Sequence, residues 1–224
     1  MKQLIRTLVP ILVPLAIVLT ATRLLLTPLF VNIEYHMPGF PEDSYGMTQA
    51  ERLQYAPLAL DYLMNDEDIS FLGDQTFEDG TPLYNERELS HMYDVKVLTQ
   101  QALKVWVGVL LALAALGLLA WRQGLLAEFR AALGQGGAFT VALILALLVL
   151  IALSFDWLFT EFHGVFFEGD TWLFLFSDTL IRLFPMRFWQ DVFFALGGLS
   201  LLAGLGLWRG MRRVQPARKA AKRK

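Results

Sequence analysis

The chain has 224 residues, 55% of them hydrophobic and 18% charged, with a net charge of −2. A soluble domain has nowhere to put that much apolar surface, and so small a net charge argues against a general nucleic-acid binder. The absence of cysteine excludes disulfide scaffolds, zinc–thiolate sites, cysteine nucleophiles and lipidation at cysteine.

Four apolar runs are long enough to cross about 30 Å of hydrocarbon as helices, the only open-chain structure that closes its own hydrogen bonds in lipid. The first, within residues 1–31, starts after Lys2 and is interrupted by Pro10, Pro14 and Arg23. The second is expected at 102–121, uncharged from Val105 to Trp121, and the third at 137–158, inside a stretch uncharged from Ala131 to Phe155. The fourth covers 191–208. Between them lie an acidic cap at 32–101, a short loop at 122–136 and an outer segment at 159–190, with a basic tail at 209–224.

Basic residues in short flanks set orientation. Lys2, Arg6, Arg122, Arg130 and the tail residues Arg209, Arg212, Arg213, Arg218, Lys219, Lys222, Arg223 and Lys224 fall on one side. From Asn32 to Gln101 the chain instead carries fourteen Asp or Glu against Arg52, Arg87 and Lys96. Both termini are therefore expected in the cytoplasm, with the tail resting on anionic headgroups. The first run is too long for a signal peptide, and Thr20-Ala21-Thr22 is a poor cleavage site, so it is expected to stay uncleaved. Arg23 falls near the outer boundary, placed to snorkel or to meet a phosphate or cap carboxylate.

The cap reads as a small α+β piece. Thr48-Gln49-Ala50-Glu51 forms a capping box for a helix bearing Leu53, Ala56, Leu60 and Leu63 on one face, with a break or kink expected at Pro57. From Ile69 to Tyr84, short apolar pairs separated by Gly73-Asp74 and Asp79-Gly80 predict one or two small hairpins. Asn85 with Glu88 is a second N-cap signature, opening a helix that continues into the second span and places His91, Asp94, Val95 and Leu98 on one face. The outer segment mixes Trp157, Phe159, Phe162, Phe167, Trp172 and Phe174 with His163, Asp170, Asp178 and Arg182. An interfacial aromatic belt needs no such carboxylates, so this segment is expected to lie in the interface and line a cavity.

His36, His91 and His163 are the only histidines, all on the predicted outer side. Histidine is the side chain suited to exchanging protons near neutral pH. Each of two has a carboxylate within reach: Asp94 three after His91, and Asp170 for His163. A zinc or copper site is the rival reading, but no His-Glu-x-x-His pair occurs. His163 followed five later by Glu168 matches the His-x4-Asp motif of glycerolipid acyltransferases only faintly, with the wrong acid. There is no Gly-x-Ser-x-Gly elbow, phosphate loop or dinucleotide fingerprint, and Ser90 cannot pair with the adjacent His91 on a helix.

Tyr84-Asn85-Glu86-Arg87-Glu88-Leu89-Ser90-His91-Met92-Tyr93-Asp94-Val95-Lys96 resembles a signature of the bacterial lipoprotein intramolecular transacylase family, known as Lit. So do Phe162-His163-Gly164-Val165-Phe166-Phe167, Asp170-Thr171-Trp172-Leu173-Phe174 and Asp178-Thr179-Leu180-Ile181-Arg182-Leu183-Phe184-Pro185, and Glu51-Arg52 with Tyr55-Ala56 is similar too. The resemblance implies a multi-pass protein of the bacterial plasma membrane, mainly α, with four transmembrane helices, an extracytoplasmic cap and two catalytic histidines that map onto His91 and His163. It implies no cofactor. Its partners would be membrane phospholipid and a diacylglyceryl lipoprotein, whose sn-2 acyl chain moves to the α-amino group of its own N-terminal cysteine. Ester-to-amide transfer is downhill, which fits a chain with no nucleotide site. Asp94 would orient His91, while Glu51, Arg52, Arg87 or Arg182 would steady an oxyanion or headgroup. Those charges can equally form a salt-bridge network holding the cap to the membrane. The remaining alternative is a non-enzymatic sensor or accessory protein whose cap binds a partner or metal.

Overall fold

The computed structural model describes residues 1–167 and 169–213. Glu168 and the basic residues from Arg218 to Lys224, the expected lipid anchor, lie outside the described residues. Nine helices occur among the described residues: α1 Lys2–Leu25, α2 Pro28–Tyr35, α3 Gln49–Met64, α4 Ser70–Gly73, α5 Glu86–Arg122, α6 Leu126–Leu153, α7 Phe155–Phe166, α8 Thr179–Leu183 and α9 Met186–Arg213. Four of them, α1, α5, α6 and α9, are long and apolar enough to cross a membrane. At 37 residues, α5 extends about 55 Å, far more than a bilayer core needs. Its charged first half therefore lies outside the uncharged stretch from Val105 to Trp121 that does the spanning.

The chain forms two compact units. One comprises Met1–Ala21, Trp106–Leu147 and the chain from Gly197 on. Here Ile5, Val9 and Val13, one turn apart on α1, bury against Leu116 and Ala120 of α5 and Ala132 of α6. Glycines let these helices close up: a Cβ on Gly136 would stand 2.5 Å from Val13, and one on Gly137 would stand 2.7 Å from the Gly204 carbonyl. Small residues at such contacts replace the hydrophobic drive that lipid does not provide. Outward, Leu111, Phe139 and Leu202 are exposed, as lipid-wetted faces are. Lys2 pairs with Glu128 at 2.7 Å, and the Trp106 indole donates to the Thr20 hydroxyl at 3.0 Å.

The other unit comprises Thr22–Val105 and Leu148–Leu196. Its core gathers Tyr35, Tyr55, Tyr62, Leu72, Leu83, Leu183 and Phe188. Thr27 caps α2 with Pro28 in its first turn, so the chain turns after α1 instead of continuing as one helix. Thr48 and Glu51 form a reciprocal capping box on α3. Of the break or kink expected at Pro57, the break is corrected: the helix runs continuously through it. Buried Lys96 donates to Asn65 Oδ1 at 3.1 Å and sits over the Tyr62 ring, tying α5 to the end of α3.

The expected α+β cap is also corrected: the described residues contain no strand, only one antiparallel bridge between Thr76 and Pro82. Residues predicted for one arm of a hairpin instead form α4, started by Asp68 accepting from the Ser70 amide and hydroxyl. At the second turn, Asp79 binds the Thr81 amide and hydroxyl, and Gly80 takes a φ of 84°. Pro82 then offers no N–H with which to extend the ladder.

Candidate active site

Asn85 opens α5, its Oδ1 accepting from the Glu88 amide at 3.1 Å while Glu88 Oε2 accepts from the Asn85 amide at 2.8 Å. Glu88 is almost wholly buried, and its other oxygen accepts from the Leu180 amide at 2.7 Å. Asn85 Nδ2 donates to Asp178 Oδ1 at 3.1 Å, and Asp178 Oδ2 accepts from the Leu175 amide at 2.8 Å. The start of α5 is thus clamped to the segment between α7 and α8. One turn on from this clamp, His91 points into the unit and is 8% exposed.

His163 reaches the same place from α7 and is 9% exposed. The two imidazoles lie with centroids 6.0 Å apart and planes 23° apart. Around them stand aromatic rings. Phe167 and Phe174 approach His91 at 4.9 and 5.3 Å, while Phe159 and Trp172 approach His163 at 4.2 and 4.8 Å. His163 Nδ1 lies 2.7 Å from the Phe159 carbonyl. A carbonyl only accepts, so Nδ1 carries the proton and Nε2 keeps its lone pair. His91 Nδ1 is buried without a hydrogen-bond partner.

Burial, helped by neighbouring His163, pushes the His91 imidazole down to about 4. Burial also lowers His163, against the opposing pull of its bond to the Phe159 carbonyl. Both rings are therefore neutral at pH 7. An aromatic enclosure with two neutral imidazoles can accept a proton, donate one, and exclude water.

The other sequence candidates occupy different places. Asp94 is half-buried and makes no hydrogen bond to His91 Nδ1. Asp170 is exposed, and its backbone carbonyl accepts from the Leu173 amide at 3.0 Å. Glu51 is occupied in the capping box, and these bonds hold its carboxyl below the usual range. Buried Arg52 donates to the Arg182 and Pro41 carbonyls at 2.9 and 2.6 Å. Arg182 pairs with Asp43 at 3.0 Å. Arg87 donates to the Leu173 carbonyl at 3.0 Å. His36 is exposed, its Nδ1 against the Asn32 carbonyl at 2.7 Å. Among the described residues no group of three or more His, Cys, Asp or Glu is placed to hold a metal ion. The cavity lining expected of Phe167, Trp172 and Phe174 is found around the two histidines, and the Asn85–Glu88 cap spacing marks one half of a clamp whose other half, Asp178 and the Leu180 amide, has no local signal.

The family model for lipoprotein intramolecular transacylase Lit matches residues 7–189. The chain belongs to the Lit family. It is an integral membrane transacylase, which sets aside the reading as a non-enzymatic sensor. Lit from Bacillus cereus, solved in meso, has a similar fold: 21% identity, a TM-score of 0.78, and coverage of 95% of this chain and 96% of that one. A structure of the same protein with a single histidine replaced by alanine covers 96% of this chain and 93% of that one, at 20% identity and a TM-score of 0.67. An uncharacterized protein from Aquifex aeolicus is 29% identical over 212 residues, 92% of each chain.

Proposed function

We propose that this Lit-family enzyme moves the sn-2 acyl chain of a diacylglyceryl lipoprotein onto the α-amino group of its N-terminal cysteine, leaving the lyso form. The observation that carries the catalytic part is the stacking of His91 on His163 inside one aromatic enclosure, brought together from α5 and α7. Donor ester and acceptor amine reside on one molecule, so the enzyme has mainly to hold them in an attacking geometry. In well-oriented cases that can supply roughly 7–11 kcal/mol.

His163 is the better placed base, because its Nδ1 is committed to the Phe159 carbonyl and its Nε2 lone pair remains available. As the amine nitrogen bonds to the ester carbon, His163 Nε2 takes the proton that the nitrogen sheds. The resulting imidazolium returns it to the glyceryl oxygen as the C–O bond breaks, so the proton account balances with no second reactant. His91, neutral and desolvated, serves as N–H donor to the oxyanion of the tetrahedral intermediate. Asp94, Glu51, Arg52, Arg87, Asp170 and Arg182 act, in this reading, as scaffold. The basic flanks support an orientation with both termini in the cytoplasm and the histidines on the outer side of the plasma membrane.

Expression of His91→Ala and His163→Ala in a host without lyso-lipoproteins, followed by mass spectrometry of the lipopeptide N-terminus, tests this. Wild type yields lyso-form lipopeptide and neither variant does. A well-accumulated variant that still makes it overturns the mechanism.

A further inference from the structure

The segment between α7 and α8 has two unlike faces. Trp172 and Phe174 turn inward onto His163 and His91. Leu173, Leu175 and Phe176 turn outward, and the last two are 70% and 81% exposed. The segment is nevertheless well braced. The Leu173 carbonyl accepts from Arg87, the Leu175 amide donates to Asp178, and the Asp178 amide returns to the Leu175 carbonyl at 3.0 Å. These bonds hold the segment in place, and the apolar side chains of Leu175 and Phe176 are presented outward as a tip. Such a tip is costly in water.

We propose that Leu173, Leu175 and Phe176 are immersed in the acyl-chain layer of the membrane, making this segment the threshold across which a lipid chain reaches the histidines. Two observations select lipid as the occupant. The same compact unit contains the last turns of α6, where Val149 and Leu153 are exposed at 59% and 78% as the end of an apolar span. Only Ser154 separates α6 from α7, whose first turn exposes Trp157, the residue type that favours the membrane interface. The passage of a substrate chain rests on the proposed function; the immersion does not.

The chain has no cysteine, so Phe176→Cys and Leu175→Cys each provide a single labelling site. The full-length variants carry an environment-sensitive NBD fluorophore and are placed in phospholipid nanodiscs, with Glu78→Cys on the exposed turn before Gly80 as the aqueous reference. Acyl-brominated phospholipid is expected to quench the labels at 175 and 176 and leave the label at 78 bright, while aqueous iodide does the reverse. Iodide quenching at 176 equal to that at 78 overturns the proposal by placing the tip in water. Protection from both quenchers overturns it by placing protein over the tip. Quenching needs no turnover, so loss of the transacylation mechanism and loss of this inference remain separate outcomes.

Discussion

His91 stacks on His163 at 6.0 Å, yet among the described residues neither ring is hydrogen-bonded to a carboxylate. A carboxylate partner would favour the imidazolium and hold the charge in place. Here a backbone carbonyl fixes one tautomer and aromatic walls desolvate both rings, which favours their neutral forms.

His91 leaves a signature in stability. Its imidazole titrates near 4 in the folded protein, against a reference of about 6.5 when unfolded. Between those values the unfolded chain binds the proton first, so the folded state loses stability as pH falls from about 6.5 towards 4. The loss reaches about 3 kcal/mol at the lower end. His91→Phe should flatten this acid slope, measured by thermal unfolding of the purified protein in detergent at a series of pH values. An unchanged slope would mean that His91 is not the buried neutral imidazole described.

Glu34 bends the curve the other way. It is 3% exposed, with Oε1 unpartnered, and sits beside Asp191, which itself pairs with Arg187. Burial first, and then Asp191, push its carboxyl up to about 7, with Arg187 opposing. The folded state therefore holds this proton longer than the unfolded chain, and stability declines as pH rises from the ordinary carboxylate range through 7. Glu34→Gln keeps a neutral group there and should remove the decline. Its melting temperature should match wild type near pH 5 and exceed it near pH 8.

What was legible beforehand depended on range. Four spans follow from hydrocarbon thickness and uncharged stretches such as Val105 to Trp121. The capping boxes at Thr48–Glu51 and Asn85–Glu88 are local and were readable as such. The hairpin expected before Tyr84 was misread because Asp and Gly mark any tight turn, and Asp68 used its side chain to start a helix. Arg52 was equally opaque. A buried guanidinium bonded to the carbonyls of Pro41 and Arg182 leaves no trace in local spacing. The aromatic partners of His91 come from a segment far along the chain, whereas Asp94, its neighbour on the helix, does not supply its Nδ1 bond.

Arg52 should therefore matter for folding and not for turnover. Arg52→Leu leaves two carbonyls without donors and is expected to cost about 2–4 kcal/mol. Arg52→Lys, a point charge without the planar fork, cannot hold both and should recover only part of this. The decisive comparison is kcat per correctly folded molecule, which stays near wild type in Arg52→Lys while the melting temperature falls. A normal melting temperature with lost kcat would return Arg52 to the substrate.

Helix packing within the spans gives the sharpest contrast between neighbouring glycines. A methyl on Gly137 would meet backbone atoms at 2.7 and 2.8 Å, the Gly204 carbonyl oxygen and the Trp208 nitrogen, which no rotamer change can relieve. A methyl on Gly136 would stand 2.5 Å from Val13 Cβ and 2.9 and 3.0 Å from its two methyls, and one on Gly206 meets nothing within 4 Å. Gly137→Ala should push α6 and α9 apart at a cost of about 1–3 kcal/mol, while Gly206→Ala is neutral or slightly stabilising because it restricts the unfolded chain. Gly136→Ala should also destabilise, because its closest neighbour is Val13 Cβ, which no rotamer change moves. Thermal unfolding of the four proteins in one detergent checks the order. If Gly137→Ala unfolds with wild type, the close approach of α6 to α9 is wrong, because the two nearest atoms are backbone and cannot rotate away.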